Sequence, residues 1–81
     1  MTRVLLFGRL RDLADWREKV FDPPPTTLFA LRGLIAAGNA DLGAALDGPG
    51  VQAAVDRRLV RGDVALLKGS EVAFLPPMSG G

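Results

Sequence analysis

The chain has 81 residues, almost half of them apolar, and a net charge of +1. This suffices for one compact domain, although a chain so short buries only about 60–65% of the surface it exposes when unfolded. Cysteine, histidine and tyrosine are absent, which excludes disulfides, thiolate metal sites, cysteine nucleophiles and the usual acid–base group near neutral pH.

Residues 3–10 (Arg-Val-Leu-Leu-Phe-Gly-Arg-Leu) form a short apolar run that reads as a first strand. Residues 11–17 are mostly polar and read as a connection, with Trp16 packing at its rim. Glu18 to Phe21 reads as a second strand pairing back on the first. Asp22-Pro23-Pro24-Pro25 ends it, because consecutive prolines donate no ladder hydrogen bonds. Thr26 or Thr27 supplies the N-cap of a helix from about Thr27 to Ala37, in which Leu28, Leu31, Leu34 and Ile35 form one apolar stripe. Gly38-Asn39 reads as its left-handed stop. A brief helical turn is expected around Leu42 to Leu46, followed by a loop at Asp47-Gly48-Pro49-Gly50. Strands at Val51–Val55 and Leu59–Val60 flank a turn at Asp56-Arg57-Arg58. After Leu66-Leu67 and a turn at Lys68-Gly69-Ser70, the last strand runs from Glu71 to Leu75 and stops at Pro76-Pro77.

One main helix laid across one face of a mixed sheet of about five strands is the economical packing for this order, with the first and last strands side by side in the middle. The expected class is α+β, with the outline of the β-grasp, or ubiquitin-like, fold. The domain is expected over residues 1–76, and a flexible extended tail over 77–81. Alternation places Val4, Leu6, Val55, Val72 and Phe74 toward the helix, and Leu5, Phe7, Leu59 and Leu75 on the opposite face. One helix covers one face of a small sheet. The second apolar face is therefore either a partner site or is covered by loops.

The ending carries the most chemistry. Gly80 and Gly81 lack a Cβ and fit a narrow channel. Six extended residues beyond Leu75 reach about 20 Å, enough to enter a partner's active site. The carboxylate of Gly81, with an ordinary pKa of about 3.3–3.7, is ionised and unreactive until activated. Attack on the α-phosphorus of ATP gives an acyl-adenylate, from which sulfide or a persulfide forms a thiocarboxylate. None of this needs a side chain from the carrier. A Gly-Gly ending alone has little specificity; joined through Pro-Pro to a β-grasp pattern it has much more.

Over its whole length the chain resembles the small subunit of molybdopterin synthase (MoaD-type), within the sulfur carriers that include the thiazole-synthesis carrier ThiS. The resemblance rests on the ending Glu71-Val-Ala-Phe-Leu-Pro-Pro-Met-Ser-Gly-Gly81, the opening Arg3-Val-Leu-Leu-Phe with Arg11-Asp12-Leu13, and the middle Ala53-Ala-Val-Asp-Arg-Arg-Leu-Val60. It implies that Gly81 is adenylated by an enzyme akin to those that activate ubiquitin, then thiocarboxylated with sulfur from a donor protein. It also implies insertion of the tail into a large synthase subunit that supplies the catalytic side chains, where sulfur passes to a cyclic pterin precursor. The implied assembly is a heterotetramer of two large and two small subunits, with no stably bound cofactor and ATP used by the activating enzyme. Family contact positions fall on Phe7, Leu59 and Leu75, and the tail contacts on Pro76, Pro77, Met78 and Ser79. Asp56 stands where many members have asparagine, and Leu75 where an aromatic is common.

Other readings stay open on the residues alone: a carrier for thiamin or tRNA thiolation, a ubiquitin-like modifier, or an interaction domain without sulfur chemistry. A self-contained enzyme is not expected, because Ser70 and Ser79 have no histidine to activate them and the acids are scattered. The small net charge favours neither nucleic acid nor membrane. Arg9, Arg11, Arg57, Arg58 and Arg61 read as a solvated face. No signal peptide or bilayer-spanning segment is evident, so a soluble cytoplasmic protein is expected.

Overall fold

Alternating apolar residues in the first and last strands give the sheet its buried face. The computed structural model describes residues 1–77. Among them the elements are β1 (Thr2–Leu6), α1 (Gly8–Ala14), β2 (Glu18–Phe21), α2 (Leu28–Gly38), α3 (Ala40–Leu46), β3 (Gln52–Val55), β4 (Arg58–Val60) and β5 (Glu71–Leu75). The sheet order is β2-β1-β5-β3-β4. β1 and β5 pair in parallel (Arg3 with Glu71, Val4 with Val72, Leu6 with Phe74) and every other pairing is antiparallel. This is the expected β-grasp arrangement, with the first and last strands in the middle. Val4, Leu6, Val72 and Phe74 are buried with Leu28, Leu31 and Ile35 of α2, and with Leu10, Leu42, Leu46, Ala53 and Leu66.

The segment 8–14 corrects the sequence reading most. Residues 7–10 do not extend the strand, and residues 11–14 are no loop. The chain turns at Gly8, whose φ of +56° is closed to an ordinary strand residue. Leu10, Leu13 and Ala14 then recur at helical spacing. Leu10 is buried in the core, so this short helix is held by packing and not by its length. Trp16 is half-buried at the core's edge, as expected, with the Lys19 ammonium 5.8 Å from its ring centre.

The other strands and the main helix lie close to where they are expected. Within α2, however, Leu34 is exposed, so the buried stripe is Leu28, Leu31 and Ile35. The helix is capped by Thr27, whose hydroxyl accepts the Ala30 N–H at 3.1 Å. The Val64 carbonyl and the Asp63 carboxylate accept the two N–H groups before it, from Leu28 and Phe29, both at 2.9 Å. The first three N–H groups of α2 thus have acceptors outside the helical ladder. Its end is not left-handed. Asn39 is extended (φ −158°, ψ 97°) because it also starts α3, a full helix where only a turn is expected. Its side-chain oxygen accepts the Leu42 N–H at 3.0 Å and its amide donates to the Leu13 carbonyl at 3.3 Å. One asparagine thereby ties three helices together.

The β3–β4 hairpin turns through Asp56 (φ +50°) and Arg57 (φ +70°), the left-handed pair that suits the twist of a two-residue hairpin. Asp56 also pairs with the middle of the sheet: its N–H donates to the Glu71 carbonyl at 2.8 Å, and its carboxylate accepts the Glu71 N–H at 2.9 Å. Asparagine tolerates the same conformation and offers the same acceptor oxygen. Asp56→Asn is therefore expected to leave stability within about 0.5 kcal/mol, whereas Asp56→Ala, which loses the acceptor and strains the turn, is expected to lose about 1–3 kcal/mol. Phe74 is fully buried, with the Arg32 guanidinium 5.6 Å from its ring centre. Phe74→Ala is expected to cost about 3–5 kcal/mol, much of the roughly 4–12 kcal/mol that a chain of this size holds. Urea unfolding of the three variants checks both expectations.

Candidate partner face and tail root

The face of the sheet turned away from α2 follows from strand register. Leu5 pairs with Ala73, Ala73 with Ala54, and Ala54 with Leu59, so a single apolar row crosses from β1 to β4. Ala54 and Ala73 keep the centre of the row low, and Leu5 and Leu59 stand at its two sides. No described loop is needed to complete this face: Leu59 is 61% exposed and Phe7 is 45% exposed. Val20, paired with Arg3, extends the face onto β2.

Phe7 and Leu75 each follow one residue after the Leu6–Phe74 pair, on this same face and at the edge where the chain leaves the sheet. Leu59 lies two strands from Leu75, roughly 10 Å away at the usual strand spacing. Phe7, Leu59 and Leu75, the contact positions that the resemblance implies, therefore share one surface. Beside Phe7 a depression of about 350 Å³ is lined by Leu5, Arg11, Arg17 and Glu18. Basic residues thus border this apolar surface. Arg9, Arg57, Arg58 and Arg61 are also exposed.

At the other end of the face, the Arg3 guanidinium hydrogen-bonds to Glu71 and lies 3.8 Å from Glu18. The bond to Glu71, its charge and that of Glu18 raise the pKa of Arg3 above its ordinary value. The pair is partly exposed, so solvent screens it and it adds little to stability. Ser70 is buried and engaged in a turn: its hydroxyl accepts the Leu67 N–H at 2.9 Å, and its own N–H donates to the Leu67 carbonyl.

Pro76 is half-buried and Pro77 is exposed beside a recess of about 330 Å³ lined by Arg9, Leu10, Ala45, Gly48, Pro49 and Val51. Met78, Ser79, Gly80 and Gly81 lie outside the described residues. Alternation sets Ala73 with Leu75 on the open face, but sequence reasoning overlooked Ala54, which the pairing with Ala73 and Leu59 places there. It also read Gly8 and Gly50 only as strand and loop residues. The signal for them lies in counting outward from the paired strands, which sets Gly8 beside Pro76 and Gly50 beside Pro77.

Comparison with known proteins agrees with this geometry. The pattern of the ThiS family matches residues 4–81. The chain is 41% identical to the molybdopterin synthase sulfur carrier subunit of Escherichia coli K12, over the full length of both. Its fold is similar to that of a Pyrococcus furiosus protein provisionally named molybdopterin converting factor, subunit 1, with a TM-score of 0.78, 26% identity, and 95% of this chain and 97% of that one covered. It is also similar in fold to small archaeal modifier protein 1 of Methanosarcina acetivorans, with a TM-score of 0.83, 21% identity, and coverage of 99% and 95%. Among the described residues no helix is long and apolar enough to cross a membrane. The strand order, the open apolar face and the match over residues 4–81 together place this chain in the ThiS family.

Proposed function

We propose that this protein is the sulfur-carrier subunit of molybdopterin synthase, acting in the cytoplasm through the carboxylate of Gly81. The observation that supports the reading is a conjunction. An uncovered apolar sheet face runs to the strand from which the Gly-Gly ending departs, in a chain 41% identical end to end to the Escherichia coli carrier subunit.

The chemistry asks little of the carrier. A carboxylate oxygen of Gly81 bonds to the α-phosphorus of ATP on an activating adenylyltransferase, and pyrophosphate leaves. A persulfide on a donor protein then attacks the acyl carbon and AMP departs; a thiol cleaves the resulting acyl disulfide, leaving the thiocarboxylate on Gly81 and a disulfide on the donor. On the large synthase subunit, the thiocarboxylate sulfur bonds to an electrophilic carbon of the cyclic pterin precursor, and an oxygen substituent leaves that carbon. Water then cleaves the acyl–sulfur bond and restores the carboxylate. Catalytic side chains come from the partner enzymes, and ATP is held by the activating enzyme. The carrier's part is recognition and reach. Phe7, Leu59 and Leu75 dock on the large subunit, while Pro76, Pro77, Met78 and Ser79 line the approach of Gly80 and Gly81 to the active site. Two small and two large subunits form the assembly. Neither nucleic acid nor membrane enters the cycle.

Two measurements check this reading. Intact mass after incubation with ATP, a sulfur source and the activating enzyme is expected to rise by the exchange of one oxygen for sulfur, and to stay unchanged when Gly81 is deleted. No rise with an enzyme shown to be active on its own carrier would overturn sulfur carriage and leave a modifier or an interaction domain. Binding to the large subunit, measured by calorimetry, is expected to weaken about 30-fold in Phe7→Ala, the loss typical of an aromatic anchor at a desolvated interface. Phe29→Ala, which removes an exposed aromatic from α2, is expected to bind as the unaltered protein does.

A further inference from the structure

The prolines that end β5 fix two φ angles near −65°, so the line along which the chain departs depends on what seats their rings. Two glycines do so, one from each neighbour of β5 in the sheet. Gly8 follows β1 and, with φ +56°, lies beside Pro76; a Cβ on it would stand 2.9 Å from the Pro76 Cγ. Gly50 precedes β3 and, with φ +82°, lies beside Pro77; a Cβ there would stand 2.7 Å from the Pro77 Cβ and 3.5 Å from its Cα. Distances under 3.0 Å are essentially never made by real Cβ atoms, so either ring would have to shift, Pro76 by a change of pucker at Cγ and Pro77 together with its backbone.

The placement follows from strand register. Continuing the parallel pairing of Leu6 with Phe74 by two residues sets Gly8 against Pro76. Continuing the antiparallel pairing of Gln52 with Leu75 by two sets Gly50 against Pro77. Gly62 and Gly69 also have positive φ, yet a Cβ on either would meet nothing within 4 Å. The close approach is thus a property of the two glycines that flank the exit and is absent from the other two.

We propose that Gly8 and Gly50 are positioning residues: a two-sided clasp that admits the rings of Pro76 and Pro77 and so aims the C-terminal segment at the activating enzyme. The proposal rests on the carrier reading above. Docking through the open sheet face is left intact when the clasp is disturbed, so the effect falls on kcat and spares KM. Misplacement of a reacting group by about 1 Å lowers a rate by up to about a hundredfold.

The test is ATP–pyrophosphate exchange catalysed by the activating enzyme, with the full-length carrier as the varied substrate. Gly8→Ala and Gly50→Ala are each expected to lower kcat about 10- to 100-fold with KM within about twofold. Gly62→Ala carries the same backbone burden without a proline neighbour and is expected to leave kcat unchanged. Pro76→Ala removes the ring atom that Gly8→Ala would strike, and Pro77→Gly removes the Cβ that Gly50→Ala would strike. The pairs Gly8→Ala/Pro76→Ala and Gly50→Ala/Pro77→Gly are therefore expected to match the corresponding proline variants alone, a coupling that a general loss of folding would not produce. Unchanged kcat in both glycine variants, or a kcat in both pairs well below that of the corresponding proline variant alone, would overturn the clasp. Exchange by the unaltered protein separates this from the carrier reading, since its failure counts against carriage itself. Residual dipolar couplings of the Gly80 amide, measured without any enzyme, then decide the clasp: couplings altered in the glycine variants support it, and couplings equal to those of the unaltered protein overturn it.

Discussion

The pairing of β1 with β5 is parallel, so the first and last strands run in the same direction through the middle of the sheet and end at one edge. Parallel neighbours cannot be joined by a tight turn, and here the connection between them is most of the protein. Both strands are apolar on two faces. Val4, Leu6, Val72 and Phe74 lie beneath α2, while Leu5, Phe7, Ala73 and Leu75 lie on the face that α2 leaves uncovered. The same pairing that builds the core therefore also assembles an outer apolar surface and sets the chain's departure beside it. Core residues and open-face residues alternate along single strands.

A small chain has little core to spare, and several of its polar side chains each serve more than one element. Asn39 serves three helices, Ser70 closes the turn before β5, and Asp56 joins a hairpin to the middle of the sheet. The loop before β5 supplies two acceptors to the start of α2, so the main helix and the last strand are held in one frame. Each of these residues sits in a turn or between two helices, where a side-chain oxygen answers backbone groups that no ladder can reach.

Much of this was legible in the sequence, and the gaps have physical causes. β2 and β5 lie at the expected residues because prolines or charged residues bound them sharply, and α2 because Thr27 and its apolar spacing agree. α1 was missed because seven residues carry only two turns of pattern, and Leu10 reads equally well as the end of a strand. Asn39 was read as a stop because the start of α3 adjoins it, and one residue cannot be left-handed for one helix and extended for the next. Leu34 fits the stripe of α2 by spacing, yet it lies at the flank of the buried face and stays exposed. On the open face, Phe7, Leu59 and Leu75 were legible through alternation, but alanines carry no apolar signal of their own. Ala73 follows from Leu75 by alternation, and Ala54 emerges only when neighbouring strands are set in register. The roles of Gly8 and Gly50 depend on a contact between segments far apart in the chain, which no local pattern encodes.

The separation between Arg3 and Glu71, partners in the central pair, has a further meaning for how the molecule comes into being. Contacts so distant in the chain close late and slowly, since nearly the whole polypeptide must be gathered before they form. A chain interrupted anywhere before Glu71 lacks the middle strand and the burial that Phe74 brings. Such a fragment cannot complete the core, and it has neither the proline exit nor the glycine ending. Completion of the fold and possession of the glycine ending are therefore linked: a chain cut short before Glu71 has neither.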